Sequence, residues 1–325
     1  MVALTYTDPM AKADTDQVIE RINELKRARN AVILAHNYQY GEIQDIADYV
    51  GDSLGLSQVA ARTEADVIVF CGVHFMAETA YILNPSKTVL LPELKAGCSL
   101  ADSITVEQLR SWKAEHPNAV VVSYVNTTAA VKAESDYCCT SGNAERVIRA
   151  IPEDRQILFL PDIYLGSYLR HTTGRDIQVW AGECHVHAGI NPGMVERMRG
   201  NNPEAEFLIH PECGCVSSTM YHLGKGSISA DRTHILSTEA MIRHAQQSNA
   251  SQFVVATEIG VLHRMQKANP GKQFLPVDES IACRYMKMTT LESVERALTT
   301  MTYRVTVDAD LADRARLAIE RMIAL

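Results

Sequence analysis

Three cysteines recur at matching places in the chain: Cys98 in LPELKAGC, Cys184 in VWAGEC and Cys283 in LPVDESIAC, 86 and 99 residues apart. Each follows an apolar run of strand length and a loop. Three thiolates brought to one axis suit a soft metal centre. A four-cysteine zinc site would be closed. Three cysteines on a cubane iron–sulfur cluster leave one iron without a protein ligand, able to act as a Lewis acid on a substrate hydroxyl or carboxylate. Taken singly, each cysteine is better explained as a buried apolar thiol. The shared position of the three favours ligation.

The other five cysteines read differently. Cys71 ends a buried strand and belongs to the core, and Cys138 and Cys139 precede a helix start and read as packing. Cys213-x-Cys215 could bind metal, form a redox pair or pack, and so short a motif favours packing. Glu183-Cys184-His185-Val186-His187 has the composition of a zinc site but no second ligand pair elsewhere. His187 is therefore read as an acid–base or hydrogen-bonding group, and His185 as solvated.

Polar triplets close three of the apolar runs: His36-Asn37-Tyr38, Tyr124-Val125-Asn126 and His210-Pro211-Glu212. A serine follows each at a helix start: Ser53, Ser141 and Ser237. Serine is a favoured N-cap. Helix N-termini also hold carboxylates and phosphates through free N–H groups. Glu212 beside His210 offers a general base, and Tyr38 and Tyr124 offer phenolic donors. No glycine-rich nucleotide fingerprint occurs.

These residues need a scaffold that delivers strand ends to one place. Ten runs qualify as strands: 31–35, 66–70, 88–92, 119–125, 157–161, 177–180, 206–210, 233–237, 252–256 and 273–277. Unalternated Val/Ile/Leu runs read as strands buried on both faces of parallel sheets. Amphipathic helices fill the gaps, as at Glu42–Val50, where Ile43, Ile46, Ala47 and Val50 share a face. The expected fold is α/β: three similar Rossmann-like domains of about 90 residues in pseudo-threefold arrangement around a central active site. The expected divisions are 1–98 with 284–325, 99–184, and 185–283. An N-terminal helix (Gln17–Ala28) and a C-terminal cap complete the chain. The cap comprises a helix at Leu291–Thr299 with a Thr289-x-x-Glu292 capping box, a strand at Tyr303–Val307 and a helix at Leu311–Met322.

Composition excludes other classes. The 325 residues carry a net charge of −8 with no Lys/Arg-rich run, which argues against nucleic-acid binding. No apolar run approaches the roughly 18 residues of a membrane span. Residues 1–16 lack a basic stretch followed by an apolar one, so no secretory signal is read. A reducing cytoplasm with free thiols is the expected setting.

The chain resembles the quinolinate synthase A family of bacterial NAD biosynthesis. The resemblance rests on AHNYQ (35–39), GDSL (51–54), AGCSLAD (96–102), YVNTTAAVKA (124–133), CTSGNA (139–144), PDIYLG (161–166), HPECGC (210–215), LSTEAM (236–241), TEIGVLHRM (257–265) and Cys283 through MKMTTLE (286–292). It implies a [4Fe–4S] cluster on Cys98, Cys184 and Cys283. It implies a transferase-type condensation of iminoaspartate with dihydroxyacetone phosphate to quinolinate, phosphate and water. Substrate contacts are implied for His36, Ser53, Tyr124, Asn126, Ser141, His210, Glu212 and Thr238, with Tyr38 and His187 in the same cavity. Ser237 joins the expected binding set from its helix start. Transient contact with the aspartate oxidase that supplies iminoaspartate is also expected. Some family members carry C-x-x-C-x-x-C at the third ligand. Here Arg284-Tyr285-Met286 follows Cys283, so the partners for redox regulation there are missing. Two other readings fit the residues alone: another open-iron hydro-lyase acting on a small hydroxy acid, and a non-enzymatic small-anion binding protein.

Overall fold

The computed structural model describes residues 9–325. Residues 1–8, part of the stretch read as lacking a secretory signal, lie outside the described residues. Among the described residues, twelve strands form three parallel sheets of four. The first holds β1 (Ala31–His36), β2 (Tyr49–Gly51), β3 (Val67–Cys71) and β4 (Thr88–Leu90) in the order 2-1-3-4. The second holds β5 (Val120–Tyr124), β6 (Tyr137–Cys139), β7 (Ile157–Leu160) and β8 (Ile177–Val179), ordered 6-5-7-8. The third holds β9 (Glu206–Ile209), β10 (Thr233–Ile235), β11 (Gln252–Ala256) and β12 (Gln273–Pro276), ordered 10-9-11-12. One strand order used three times establishes three similar Rossmann-like α/β units.

Each inner strand is buried on both faces because it serves two cores. Side chains alternate along a strand. Val32 and Leu34 of β1, Val122 of β5 and Phe253 and Val255 of β11 enter one cluster shared by all three units. Ile33 and Ala35 face a separate outer core under the N-terminal helix, and Val254 and Ala256 face another. This double burial explains the unbroken apolar runs of the sequence.

Two edge strands differ from expectation. The helix expected over Glu42–Val50 spans only Gly41–Ile46. Ala47 turns extended (φ −74°, ψ 144°), and β2 follows. Asp48 directs this change. Its N–H donates to the Ile33 carbonyl (2.9 Å), and its carboxylate accepts the Ile33 N–H (2.8 Å). Asp136 makes the same pair of bonds to Val121 (2.9 and 2.8 Å) and starts β6, which the sequence reading missed.

The C-terminal part also departs in detail. The N-cap of helix Leu291–Thr300 is Thr290, boxed with Ser293, one residue on from the expected Thr289–Glu292 box. No strand forms over Tyr303–Val307. Arg304 makes a single antiparallel bridge to Leu90 on the open edge of β4. Leu91 donates to the Tyr303 carbonyl (3.0 Å), and Val305 donates to that of Val89 (2.9 Å). Helix Pro9–Ala28 packs on helix Leu291–Thr300, with an Arg21–Glu295 ion pair of 2.5 Å. Helix Ala309–Ala324 crosses to β6. There Asn143 Nδ2 donates to the Met322 carbonyl (2.8 Å) and Arg321 to that of Asp136 (2.6 Å).

Candidate active site

The carboxyl ends of the strands converge, as parallel α/β sheets place ligand sites. His36 and Tyr124 end β1 and β5, and His210 follows β9. Around them lies one cavity lined by His36, Tyr38, Ser53, Tyr124, Asn126, Ser141, His187, His210, Glu212 and Thr238, together with Cys98, Cys184 and Cys283. Among the residues expected to bind substrate, Ser237 alone is absent from this lining.

The three serines do not share one role. Ser237 is the N-cap, accepting the Ala240 N–H (3.4 Å). Ser53 is the first helical residue, and Asp52 caps that helix by accepting the Gly55 N–H (2.8 Å). Ser141 lies in the turn before the Asn143 cap, and its hydroxyl meets His210 Nε2 (3.1 Å). The three helix starts nevertheless approach one another. A Cβ on Gly142 would lie 3.5 Å from Asp52 Oδ2 and 3.6 Å from Ser237 Oγ.

The first and third units build the same turn. Tyr38 N–H donates to His36 Nδ1 (3.2 Å), and Glu212 N–H donates to His210 Nδ1 (3.4 Å). An Nδ1 that accepts leaves the proton of a neutral imidazole on Nε2. Burial keeps both rings neutral: His36 is lowered to about 3, helped by Lys287, and His210 well below the usual range. Both therefore present an N–H as donor to the cavity.

Glu212 is the central acid. It is 2% exposed, and Tyr124 donates its hydroxyl to it. Burial, then the nearby Asp162 carboxyl, raises Glu212 well above the carboxylate range. His187 Nδ1 lies 3.4 Å from its other oxygen. The opposite nitrogen of His187 reaches Thr257 Oγ1 (2.9 Å) and the Tyr38 hydroxyl (3.3 Å), which itself bonds Thr257 (2.7 Å). Burial lowers His187 to about 4 and raises both phenols. Asn126 Oδ1 is buried with no hydrogen-bond partner among the described residues, a mark of a site built for a ligand.

The cysteine loops are also alike. Each sulfur accepts backbone N–H bonds from the residues two and three further on: Leu100 and Ala101, Val186 and His187, Tyr285 and Met286. Short helical turns at Ala101–Ser103, His185–Ala188 and Met286–Met288 provide this geometry. Such bonds favour thiolate, yet burial pushes Cys98 up to about 12 and raises Cys184 and Cys283 too. Three thiols primed as sulfur donors, and short only of positive charge, fit a cationic metal cluster.

Several important residues were not singled out in the sequence. Glu258 Oε1 accepts the Cys283 N–H (3.0 Å) and pairs with Lys287 (3.1 Å). Asp162 stands in the corresponding place beside the Cys184 N–H. Both acids stand two residues beyond the third strand of their unit, where the first unit has Val73. That repeated position was the available signal. Gly260 packs so closely that a Cβ would lie 2.7 Å from the Tyr38 carbonyl carbon, so only glycine fits. Asn37, the middle of its triplet, ties the units by donating to Thr238 Oγ1 (3.1 Å).

The remaining cysteines also find their places. Cys71, Cys138 and Cys139 are buried free thiols, as expected. Cys213 and Cys215 form a disulfide in the third core, against the packing-only reading and the expectation of free thiols throughout. His185 is exposed, with Nδ1 2.6 Å from Ser99 Oγ. Among the described residues, no helix is long and apolar enough to cross a membrane.

Fold and site define a triplicated α/β protein whose strand ends meet in a cysteine-bearing, acid–base cavity. The sequence profile described as quinolinate synthetase A protein matches residues 20–324. The chain belongs to that family. It is 55% identical to a quinolinate synthase of Mycobacterium sp. (strain KMS), over 96% of this chain and 93% of that one. It is 52% identical to a quinolinate synthase of Thermus thermophilus, over 97% of this chain and all of that one. A quinolinate synthase of Pyrobaculum aerophilum is 53% identical over 93% of this chain and 98% of its own.

Proposed function

We propose that this chain condenses iminoaspartate with dihydroxyacetone phosphate to quinolinate, phosphate and water, a transferase-type step of NAD biosynthesis. The supporting observation is the meeting of three like cysteine loops with the buried Glu212 group in one cavity. Cys98, Cys184 and Cys283 would hold a [4Fe–4S] cluster. Bound there, the cluster supplies a Lewis acid through the iron that no cysteine reaches.

The chain's own groups do the rest. His36 and His210 offer Nε2–H donors to substrate oxygens. Ser53, Ser141, Asn126 and Thr238 bind carboxylates and phosphate. Glu212 takes protons during enolisation and returns them as water leaves, a role favoured by the burial that raises its proton affinity. Tyr124 holds that carboxyl in place by donating its hydroxyl to it. Tyr38 and His187, linked through Thr257, donate to oxygens that gain negative charge. Substrate charge is met locally, by these donors, in a chain whose net charge is −8. Iminoaspartate is an imine that water hydrolyses, so transient contact with aspartate oxidase forms part of the proposal. So does a reducing cytoplasm, which keeps the three ligand thiols available.

The test uses full-length protein reconstituted anaerobically with iron and sulfide. Quinolinate must form only when both substrates are present. Cys184→Ser must lose the cluster's visible absorbance and all turnover. Quinolinate formation by a Cys184→Ser protein lacking iron, or dehydration of a simple hydroxy acid in place of condensation, would overturn the reading.

A further inference from the structure

A second constellation lies at the opposite, amino-terminal end of the third sheet. Glu206 opens β9, His234 is the middle residue of β10, and His244 stands in the last turn of helix Thr238–Gln247. One ligand atom from each lies within 4.8 Å of the others. His244 Nε2 is 2.5 Å from Glu206 Oε2, and His234 Nε2 is 3.4 Å from the same oxygen. We propose that these three side chains bind a divalent transition-metal ion of the zinc class, with solvent completing the coordination.

Three observations carry this. First, His234 Nε2 is buried without a hydrogen-bond partner among the described residues. A neutral imidazole keeps a lone pair on one ring nitrogen, and an unpartnered buried nitrogen is where an ion can take it up. Second, Glu206 is oriented. Ser248 Oγ donates to its Oε1 (2.6 Å), which leaves Oε2 turned toward both imidazoles. Third, the spacing suits the ion. Tetrahedral zinc with bonds of about 2.0–2.1 Å has ligand–ligand edges of about 3.3 Å. The His234–Glu206 distance already matches, and the His244–Glu206 contact need open by less than an ångström. Two imidazoles with one carboxylate suit zinc and its neighbours, whereas magnesium and calcium take oxygen ligands. The three side chains are 14–28% exposed, so an ion can enter and keep a water.

The ion would clamp the three-residue edge strand β10 to β9 and to the helix. That helix carries Thr238 into the catalytic cavity at its other end.

The test uses the full chain with its cysteine site reconstituted anaerobically, titrated with zinc against a chromophoric indicator. The wild type should bind one tight equivalent more than His234→Gln or His244→Gln. Each variant should lose affinity by at least about ten-fold. His263→Gln, beside Asp45 on another surface, should match the wild type. Anomalous diffraction at the zinc edge should place the ion among the three side chains. Equal zinc binding by wild type and both variants, or an anomalous peak elsewhere, would overturn the site. Should a histidine variant fail to fold, Ser248→Ala keeps all three ligands. A drop of about ten-fold there supports the site, and unchanged affinity overturns it.

Discussion

The turns after β1 and β9 share one backbone device and differ in what it carries. In both, a histidine accepts through Nδ1 the N–H of the residue two places on and turns a neutral Nε2–H to the cavity. In the first unit that second residue is Tyr38, a hydrogen-bond donor. In the third it is Glu212, which can take and return a proton. The second unit keeps the strand end but replaces the histidine by Tyr124 and puts Asn126 in the third place. A threefold frame thus repeats backbone geometry, while single side chains divide the chemistry among the units.

The largest test of that division compares Glu212→Gln with Tyr38→Phe. Glu212→Gln should lower kcat by about 10²–10⁴-fold with iron content unchanged. Tyr38→Phe should lose about ten-fold, the scale of one donor among several. Equal losses would abolish the distinction between the two turns. Next, His36→Ala and His210→Ala should each lower kcat/KM by about 10²-fold, the effect of removing one oriented donor. The corresponding glutamine variants should recover part of it, because an amide N–H can replace Nε2–H. If neither glutamine helps, the rings do not act as neutral donors.

A third effect is on stability. His36 is neutral when folded, with a pKa of about 3, and takes a proton near 6.5 when unfolded. The unfolded state therefore binds more protons between those values, and acid favours it. Taking pH from 7 to 5 should cost the wild type about 2 kcal/mol more than His36→Gln, read by chemical denaturation. Above pH 7 the two profiles should run parallel. The smallest effect separates the serines. Ser237→Ala should cost about 1 kcal/mol of stability as a lost cap and leave kcat within about two-fold. Ser141→Ala, which faces His210, should instead raise KM.

Most of the scaffold was legible because buried parallel strands write themselves as Val/Ile/Leu runs. β2 (Tyr49–Gly51) and β6 (Tyr137–Cys139) were not, since neither carries a Val/Ile/Leu run. Ile43, Ile46, Ala47 and Val50 even kept helical spacing through the break, which is set by Asp48 bonding to a distant strand. The cavity residues were legible where a type recurred at strand ends. Glu258 and Asp162 stand beside cysteine N–H groups that only folding brings near, so their types alone announced nothing. The place of Ser237 outside the cavity lining was not legible, because N-capping and ligand binding ask for the same residue.

The segment that covers β4 and then reaches β6 comes from the far end of the chain. On the ribosome, residues 302–322 emerge only after Cys98, Cys184 and Cys283 have been made. Until then the edge of the first sheet offers unpaired N–H and C=O groups, and the second unit lacks its covering helix. The nascent chain thus carries an open strand edge from the making of β4 until residues 303–305 emerge, an interval of about 210 residues in which pairing with another chain is the main hazard.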